Sequence, residues 1–537
     1  MSKKIYDDFY KEHGPDVHLD PVRFEKIASL CKGKVLDIGC GTGTLADFYK
    51  LQYTGIDISS EAISMARNIR RKDADYICSE VNEIDKFVDA KFDTIVMAEF
   101  LEHLHENEFN FEMIQKFCKA DTRIIISVPN GDRIPDPTHM RTFTVPELRK
   151  KFAKLGKIQF HNWAGFRGRI MMTIDLAEKN DELLSLMITA KNEEKGLENA
   201  ILSCIDFVDN IVITVDRASK DNTLQIAKRY ADTLKEYTWE NSFCKARNFT
   251  QEGIKTKWVL MLDGHEYVKE GYNLKEALKL DCDGLSIKIE LENKFSFYFP
   301  RIIRNYVQWE NDLHNNPKAE KCVAIKDLII VHDRDNLQSK KGIEERNKQR
   351  SEMVEKIFGK ILKHDKKNIR ALFYTAQHAN YQKDFKKALK FYKCYLKYSK
   401  NKEERWLVCF EMTEIYIQLG KYWRAMWYAW KAEEEIQNRW ETRYILASAY
   451  AAAGWTTKAT EYFTTCFDLN EKKHVYNPLE QNLATIWETI GMCFFTAGNM
   501  AKANIAWNRA ITIEKSHGEK NRNDKRIEFL SALMKQN

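Results

Sequence analysis

The sequence predicts a multidomain chain in which two α/β units precede an all-helical one, and three observations lead there. From about 33 to 175, apolar strand-like runs (KVLDIGC, YTGIDI, FDTIVMA, TRIIISVP) alternate with helix-like stretches, the pattern of a parallel sheet with crossover helices. A polar stretch, AEKNDE, interrupts the rhythm, and a second alternation starts with LLSLMITA, NIVITVD and WVLML. Beyond about 338 the strand signals vanish, and helical periodicity rich in Ala, Tyr and Trp takes over. The expected boundaries are 1–180, 181–338 and 339–537. Length agrees, because 537 residues exceed what one core serves at roughly 150 residues per domain.

The bulk numbers remove several classes of function. No apolar run approaches the roughly 18 residues a membrane span needs. The opening MSKKIYDDFYKEHG is charged and has no apolar segment of the secretory type, so a cytoplasmic protein is expected. Twelve cysteines without a CxxC pair favour neither a disulfide framework nor a thiolate zinc site. A formal charge of +7 is mild for this length and does not point to nucleic acid.

In the first unit, VLDIGCGTGTL sets Asp37, Gly39, Gly41 and Gly43 between a strand and a helix. Glycines there let a ligand approach the backbone, and an acid at the strand end can accept from an amino or hydroxyl group. Asp57 ends the next strand about 20 residues on, where a ribose-binding carboxylate belongs. With its acid first, D-x-G-x-G-x-G resembles the class I S-adenosylmethionine-dependent methyltransferases, with a Rossmann-like fold, rather than dehydrogenases. The resemblance extends through YICSEVNEI, FDTIVMAEFLEHL, RIIISVPNG and HMRTFTVPEL. It implies that Asp37 and the glycines hold the methionine part, Asp57 the ribose hydroxyls and Glu80 the adenine edge; family members usually carry Asp at that last position.

EFLEHL adds chemistry. Glu99, Glu102 and His103 can converge beside the transferred methyl group, with His139 following in HMRTFT. Similar E-x-x-E-H patterns occur in ubiquinone-pathway and small-RNA ribose O-methyltransferases, where a divalent ion holds the acceptor hydroxyl. An alcohol is a poor nucleophile at neutral pH, and a bound cation lowers its pKa and fixes its position. Carboxylates with imidazoles suit Mg, Mn or Fe. His103 is accordingly expected as both a ligand and a catalytic group.

The second unit resembles the nucleotide-binding half of family 2, GT-A-type glycosyltransferases over 184 to about 333. One strand ends in Lys191-Asn192-Glu193-Glu194, another in Asp216, and Ser219-Lys220-Asp221-Asn222-Thr223 precedes a helix. The resemblance implies that Ala190, Asn192 and Glu193 line the nucleoside pocket and that Asp216 accepts from the base of a UDP-, GDP- or dTDP-linked sugar. Arg247 follows in FCKARNF. WVLMLDGHEYV stands where relatives carry Asp-x-Asp, with Asp263 kept and His265 replacing the second carboxylate. Neutral imidazole also binds transition ions, and WENDLH matches the family's Y-E-G-x-V-H segment, so the resemblance implies a Mn or Mg site of Asp263, His265 and His314. Family 2 enzymes invert the anomeric centre and need a general base; Glu310 and Asp312, near His314 in WENDLH, are the candidates. A metal-independent or inactive site stands beside this expectation.

The last third repeats. Ala388, Ala425, Ala459 and Ala503 are separated by 37, 34 and 44 residues, with Gly420, Gly454 and Gly498 each five before an alanine, and Tyr392, Phe463 and Trp507 four after. This resembles tetratricopeptide repeats (TPR), about four over 368–514 with a capping helix after 518, a solenoid whose concave face can hold a partner. The expected whole is a bifunctional enzyme that glycosylates and O-methylates a glycan or glycosylated acceptor. Its repeats would hold a protein or peptide acceptor or pair with a second copy. The alternatives are a methyltransferase with a degenerate glycosyltransferase domain on a repeat scaffold, and modification of a peptide or nucleic acid.

Overall fold

The computed structural model describes residues 3–105, 111–179, 183–269, 274, 276–291, 296–312, 315–334, 337, 340–468, 483–516 and 531. The first alternation becomes a seven-stranded sheet of β1 (Val35–Ile38), β2 (Tyr53–Asp57), β3 (Asp75–Cys78), β4 (Phe92–Ala98), β5 (Cys118–Pro129), β6 (Lys157–Phe160) and β7 (Arg169–Asp175). Their order is β3-β2-β1-β4-β5-β7-β6, parallel from β3 through β5, with β7 antiparallel to both neighbours. Central strands are mostly apolar because helices cover both faces of such a sheet, with Asp37 of β1 near its carboxyl end. Val35, Val96, Ile125 and Met171 meet Ile63 and Ala66 of a flanking helix in one core, each large aliphatic side chain contributing about 1.5–3 kcal/mol.

The helices are α1 (Lys3–His13), α2 (Pro21–Leu30), α3 (Leu45–Phe48), α4 (Ser60–Ile69), α5 (Glu112–Gln115) and α6 (Val145–Phe152). Local chemistry sets several starts. Asp20 accepts from Arg23 N ahead of α2, Ser59 from Ala62 N ahead of α4, and Thr144 with Glu147 forms a reciprocal cap on α6. Connections leave β1 toward β2 on one side and β4 on the other, which opens a crevice at the strand ends where ligands bind.

The second alternation builds an eight-stranded sheet from β8 (Leu184–Ala190), β9 (Asn210–Asp216), β10 (Thr233–Tyr237), β11 (Trp258–Asp263), β12 (Glu266–Val268), β13 (Gly284–Leu291), β14 (Ser296–Arg304) and a long final strand (Cys322–His332). The order is β10-β9-β8-β11-β14-β13, then the final strand and β12. The first four strands are parallel, and β14 turns antiparallel to β11. Between them run α7 (Leu197–Leu202), α8 (Thr223–Tyr230) and α9 (Phe243–Gln251). A two-stranded ribbon, Trp309–Glu310 with Asn316–Pro317, completes the element list.

Both sheets belong to one compact unit, Met1–Glu292 with Tyr298–Gln338; Ser339–Asn537 belongs to a second. The second unit is helical from α10 (Lys340–His364) onward. Four antiparallel pairs follow: α11 (Ile369–Tyr381) with α12 (Phe385–Tyr398), α13 (Lys402–Gln418) with α14 (Tyr422–Glu435), α15 (Trp440–Ala452) with α16 (Thr456–Asp468), and α17 (Leu483–Thr496) with α18 (Met500–Ser516). Ala388, Ala425, Ala459 and Ala503 are buried, as are Tyr392, Phe463 and Trp507. Gly420, Gly454 and Gly498 turn between paired helices at φ of +67°, +81° and +77° with open space around each, so backbone conformation rather than crowding calls for glycine. The expected capping helix lies outside the described residues except for residue 531, which is helical. Among the described residues no helix is long and apolar enough to cross a membrane.

Candidate active sites

A cavity of about 790 Å³ opens at the strand ends of the first sheet, running from Asp37, Asp57 and Glu80 to Glu102, His103 and His139. Gly39 and Gly41 line it, and Gly43 completes the same turn behind them. All three have positive φ, and a Cβ would come within 2.7 Å of Phe100 at Gly39 and 2.5 Å of Tyr76 at Gly43. Asp57 ties the turn together, accepting from Gly41 N and Ser59 N at 2.8 Å each. Asp37 is buried and accepts from the Tyr53 hydroxyl at 2.6 Å. Burial pushes its carboxyl up to about 7 against the pull of that hydrogen bond. Glu80 is exposed on the cavity rim.

The opposite end of the cavity gathers potential ligand atoms. Glu102, His103 and His139 bring one each within 4.8 Å of one another, and among the described residues this is the group of three or more His, Cys, Asp or Glu that does so. Glu102 is fully buried, and neither carboxylate oxygen has a hydrogen-bond partner. Burial, reinforced by the nearby charge of Glu99, raises its carboxyl well above the usual range. His103 Nδ1 lies 3.3 Å from the Thr138 carbonyl and 3.2 Å from the Thr138 hydroxyl, whose proton goes to Asp136 at 2.6 Å; both oxygens then accept, which places the proton on Nδ1 and leaves the lone pair on Nε2.

Glu99 does not join them. Its carboxylate accepts from Ser127 Oγ and Arg169 Nε, both at 2.9 Å, while its backbone sits at φ +52°. A carboxylate already neutralised by arginine gains little from a cation, so the four-ligand set expected from the sequence reduces to three. Arg169 and Ser127 come from β7 and β5, and nothing in the local motif announces them.

In the second sheet the expected nucleoside residues cluster. Lys191 Nζ pairs with the buried Asp216 at 2.9 Å, Asn192 accepts from Lys220 N at 2.8 Å, and Glu193 N donates to Thr223 Oγ1 at 2.8 Å. Ala190 is buried at the end of β8, and Asn192 follows it at φ +54°. These bonds knit the turns after β8 and β9 into one ledge.

The DGHE segment is organised by charge. Arg247 donates to Asp263 Oδ1 at 3.1 Å while stacking 4.7 Å from the Trp309 ring. Burial opposes ionisation of Asp263, but Arg247 and Arg301 prevail and hold its carboxyl well below the usual range. His265 is buried, with Nδ1 3.0 Å from Glu193 Oε1 and Nε2 buried without a partner. Burial lowers its basicity, yet the Glu193 carboxylate raises it further. Glu266 turns inward to Arg301 at 2.6 Å and His332 at 3.1 Å, contacts across the sheet that the sequence does not foretell. Asp263 and His265 share no third described ligand within 4.8 Å, and His314 lies outside the described residues. Glu310 is exposed and pairs with Lys318 at 3.0 Å; the Asp312 carboxylate lies 3.6 Å from Cys244 Sγ.

Residues 22–169 match the family model described as a methyltransferase domain, and residues 185–289 match glycosyl transferase family 2. The chain carries a methyltransferase domain and a family 2 glycosyltransferase domain. A ubiquinone biosynthesis O-methyltransferase of Neisseria meningitidis is 26% identical over 28% of this chain and 64% of its own length. Its counterpart from Chromobacterium violaceum is 33% identical over 18% of this chain and 46% of its own. The chain thus spans about half to two thirds of the length of these curated relatives. The crystal structure of MamA aligns with 32% of this chain and 94% of its own at 14% identity and a TM-score of 0.27, too low to carry an argument.

The second unit adds a groove of about 460 Å³ lined by Lys421, Tyr422, Trp423, Arg424 and Trp455. Trp423 is 71% exposed and meets Trp455 edge-on at 5.1 Å. The alanine spacing marked α14 as a repeat helix but not which of its tryptophans face outward.

Proposed function

We propose that the chain is a bifunctional transferase. A domain over 1–180 methylates a hydroxyl from S-adenosylmethionine, one over 181–338 transfers a sugar from a nucleotide sugar, and the repeats over 339–537 hold the glycan-bearing or peptide acceptor. The observation that carries the methyl-transfer half is Glu102: a wholly buried carboxyl with two unpartnered oxygens, beside two imidazoles, at the far end of a cavity that begins at Asp37 and Asp57. A buried polar group without a partner is costly, and such a donor set fits a divalent cation of the Mg or Mn type.

Glu102, His103 and His139 would hold that cation, which when bound would acidify and orient the acceptor hydroxyl. The chain's own residues do the rest. Thr138 fixes the His103 tautomer, which leaves Nε2 as a base or ligand, and the glycine turn with Asp57 shapes the donor end. Phe100 and Tyr6 add aromatic wall to the same cavity.

For sugar transfer, Asp216, Asn192 and Glu193 would bind the nucleoside, and Asp263, Arg247 and the free Nε2 of His265 would meet the diphosphate. Glu310 and Asp312 stay the candidates for the base. Incubation with labelled S-adenosylmethionine, a panel of nucleotide sugars and hydroxylated acceptors, with and without Mn²⁺ and chelator, tests the proposal. Metal-dependent label transfer to a hydroxyl is the expected result. Chelator-insensitive transfer would reject the cation, and the lack of any transfer from either donor would reject the function.

A further inference from the structure

The loop that carries His139 is fastened at its neck by the other α/β domain. Residues 130–143 leave β5 and return to it: Gly131 N donates to the Phe143 carbonyl at 2.8 Å, and Asn130 and Phe143 form an isolated bridge. Between these ends the segment passes along the methyl-donor cavity, which Ile134, Asp136, Thr138 and His139 help to line. Its far end touches the ligand group, for Met140 N donates to the Glu102 carbonyl at 2.8 Å and Thr138 holds His103. The neck therefore sets where the segment that carries His139 leaves and rejoins the sheet.

Within its own domain the neck is held by Asn130 N, which donates to the Gly168 carbonyl at 2.9 Å, and by Arg133, which donates to the Arg167 carbonyl at 2.6 Å; a second set of bonds comes from α7 and α8. Fully buried Asn130 donates through Nδ2 to Tyr230 Oη at 2.9 Å, Tyr230 donates to Glu198 Oε1 at 2.7 Å, and Arg133 meets the same oxygen at 2.5 Å. The direction is forced: an ionised carboxylate only accepts, so the one phenolic proton points to Glu198 and the Tyr230 lone pair faces the Asn130 amide. One residue earlier, Arg229 pairs with Asp132 at 2.7 Å. Three of the four residues from 130 to 133 are thus held from the glycosyltransferase domain.

Adhesion between the domains is supplied elsewhere as well. Arg149 on α6 pairs with Asp232 at 3.0 Å, and Asp206 accepts from the Asn162 backbone. Those contacts lie outside the loop. The chain through Tyr230 instead ends on Asn130 and Arg133, the residues from which the loop departs.

We propose that Tyr230 of the glycosyltransferase domain is a positioning residue for the methyltransferase, fixing through Asn130 and Glu198 the loop that carries His139. This rests on reading Glu102, His103 and His139 as a cation site. It also gives the fusion a physical consequence: the methyl-transfer site is complete only when the neighbouring domain is folded against it.

The test uses the full chain with Tyr230→Phe, which keeps the ring and removes the hydroxyl, and Arg149→Met as a control that weakens adhesion without touching the neck. Hydrogen exchange of the segment 130–143 reads the loop directly. Tyr230→Phe is expected to speed it severalfold and to weaken Mn²⁺ binding about tenfold, as outer partners of metal ligands do, with S-adenosylmethionine affinity unchanged. Arg149→Met is expected to leave exchange in that segment as in the unaltered chain. Unchanged exchange in Tyr230→Phe, equal loosening in Arg149→Met, or faster exchange with unaltered Mn²⁺ affinity would each overturn the proposal. If the unaltered chain binds no Mn²⁺, the cation reading fails by itself, and exchange in Tyr230→Phe still decides whether Tyr230 holds the loop.

Discussion

Replacing Glu102 by Gln separates the cation from every other account of the cavity. The side chain is fully buried, and neither carboxylate oxygen has a partner, so an amide of the same shape removes a charge without removing packing. Without metal, the variant is expected to be at least as stable as the parent at neutral pH. The sign follows from linkage: a carboxyl whose folded pKa is raised contributes stability while protonated, and loses it as pH rises from the unfolded value through the folded one. With metal the order reverses. A ligand at 100 times its dissociation constant stabilises by about 2.7 kcal/mol. Glu102 is one of three ligands and the sole anion among them. Outer-shell changes alone cost 10–100-fold, so loss of this ligand should cost about 100-fold, leaving about 0.4 kcal/mol at the same Mn²⁺ concentration. For a domain of this size, 1 kcal/mol is worth about 2–4 °C. Thermal scans with and without Mn²⁺ should therefore show a rise of about 5–10 °C in the parent and about 1 °C in the variant, by the same relation. An equal Mn²⁺-induced rise in both proteins would refute the reasoning.

Three further outcomes are expected. Asp263→Asn should reduce glycosyl transfer at least 100-fold, in the range seen when a group stabilising developing charge is lost, and should lower the melting temperature because Arg247 keeps a buried charge without its carboxylate; wild-type turnover would dismiss a role for Asp263. Asp206, whose carboxyl burial pushes up to about 6, loses stability as pH rises from about 4 through 6, so Asp206→Asn should gain on the order of 3 kcal/mol above pH 6 and nothing near pH 4. Denaturation across that range reads the difference, and a pH-independent change would contradict the cause assigned. Trp423→Ser should change stability by no more than about 0.5 kcal/mol, because the side chain is 71% exposed, yet raise the KM for an acceptor held in the groove; an unchanged KM would separate the groove from acceptor binding.

Much of this protein is written in short-range pattern. Continuous apolar runs identified seven of the strands, β1, β2, β4, β5, β8, β9 and β11, through local pattern alone, and a glycine turn between strand and helix exposes a ligand cradle wherever it occurs. The DIGCGTG turn and the alanine register of the repeats needed no tertiary information, because each depends on residues within one or two turns of chain. Glu99 shows where such reading ends. Its spacing in EFLEHL matches Glu102 and His103, but Arg169, 70 residues away, takes its carboxylate.

His265 makes the same point, since whether imidazole replaces a carboxylate as a ligand depends on Glu193, 72 residues earlier, and on Arg334 beyond it. The sequence by itself determined which segments become strands, turns and paired helices, and which pockets carry acids and imidazoles. Only the tertiary structure decided which of those side chains remain free for a ligand and which are already bonded. The physical reason is range: propensity and amphipathic period act over a few residues, whereas burial, charge pairing and the Asn130–Tyr230–Glu198 chain join groups about 30 to 100 positions apart, whose distances exist only once the sheets have packed.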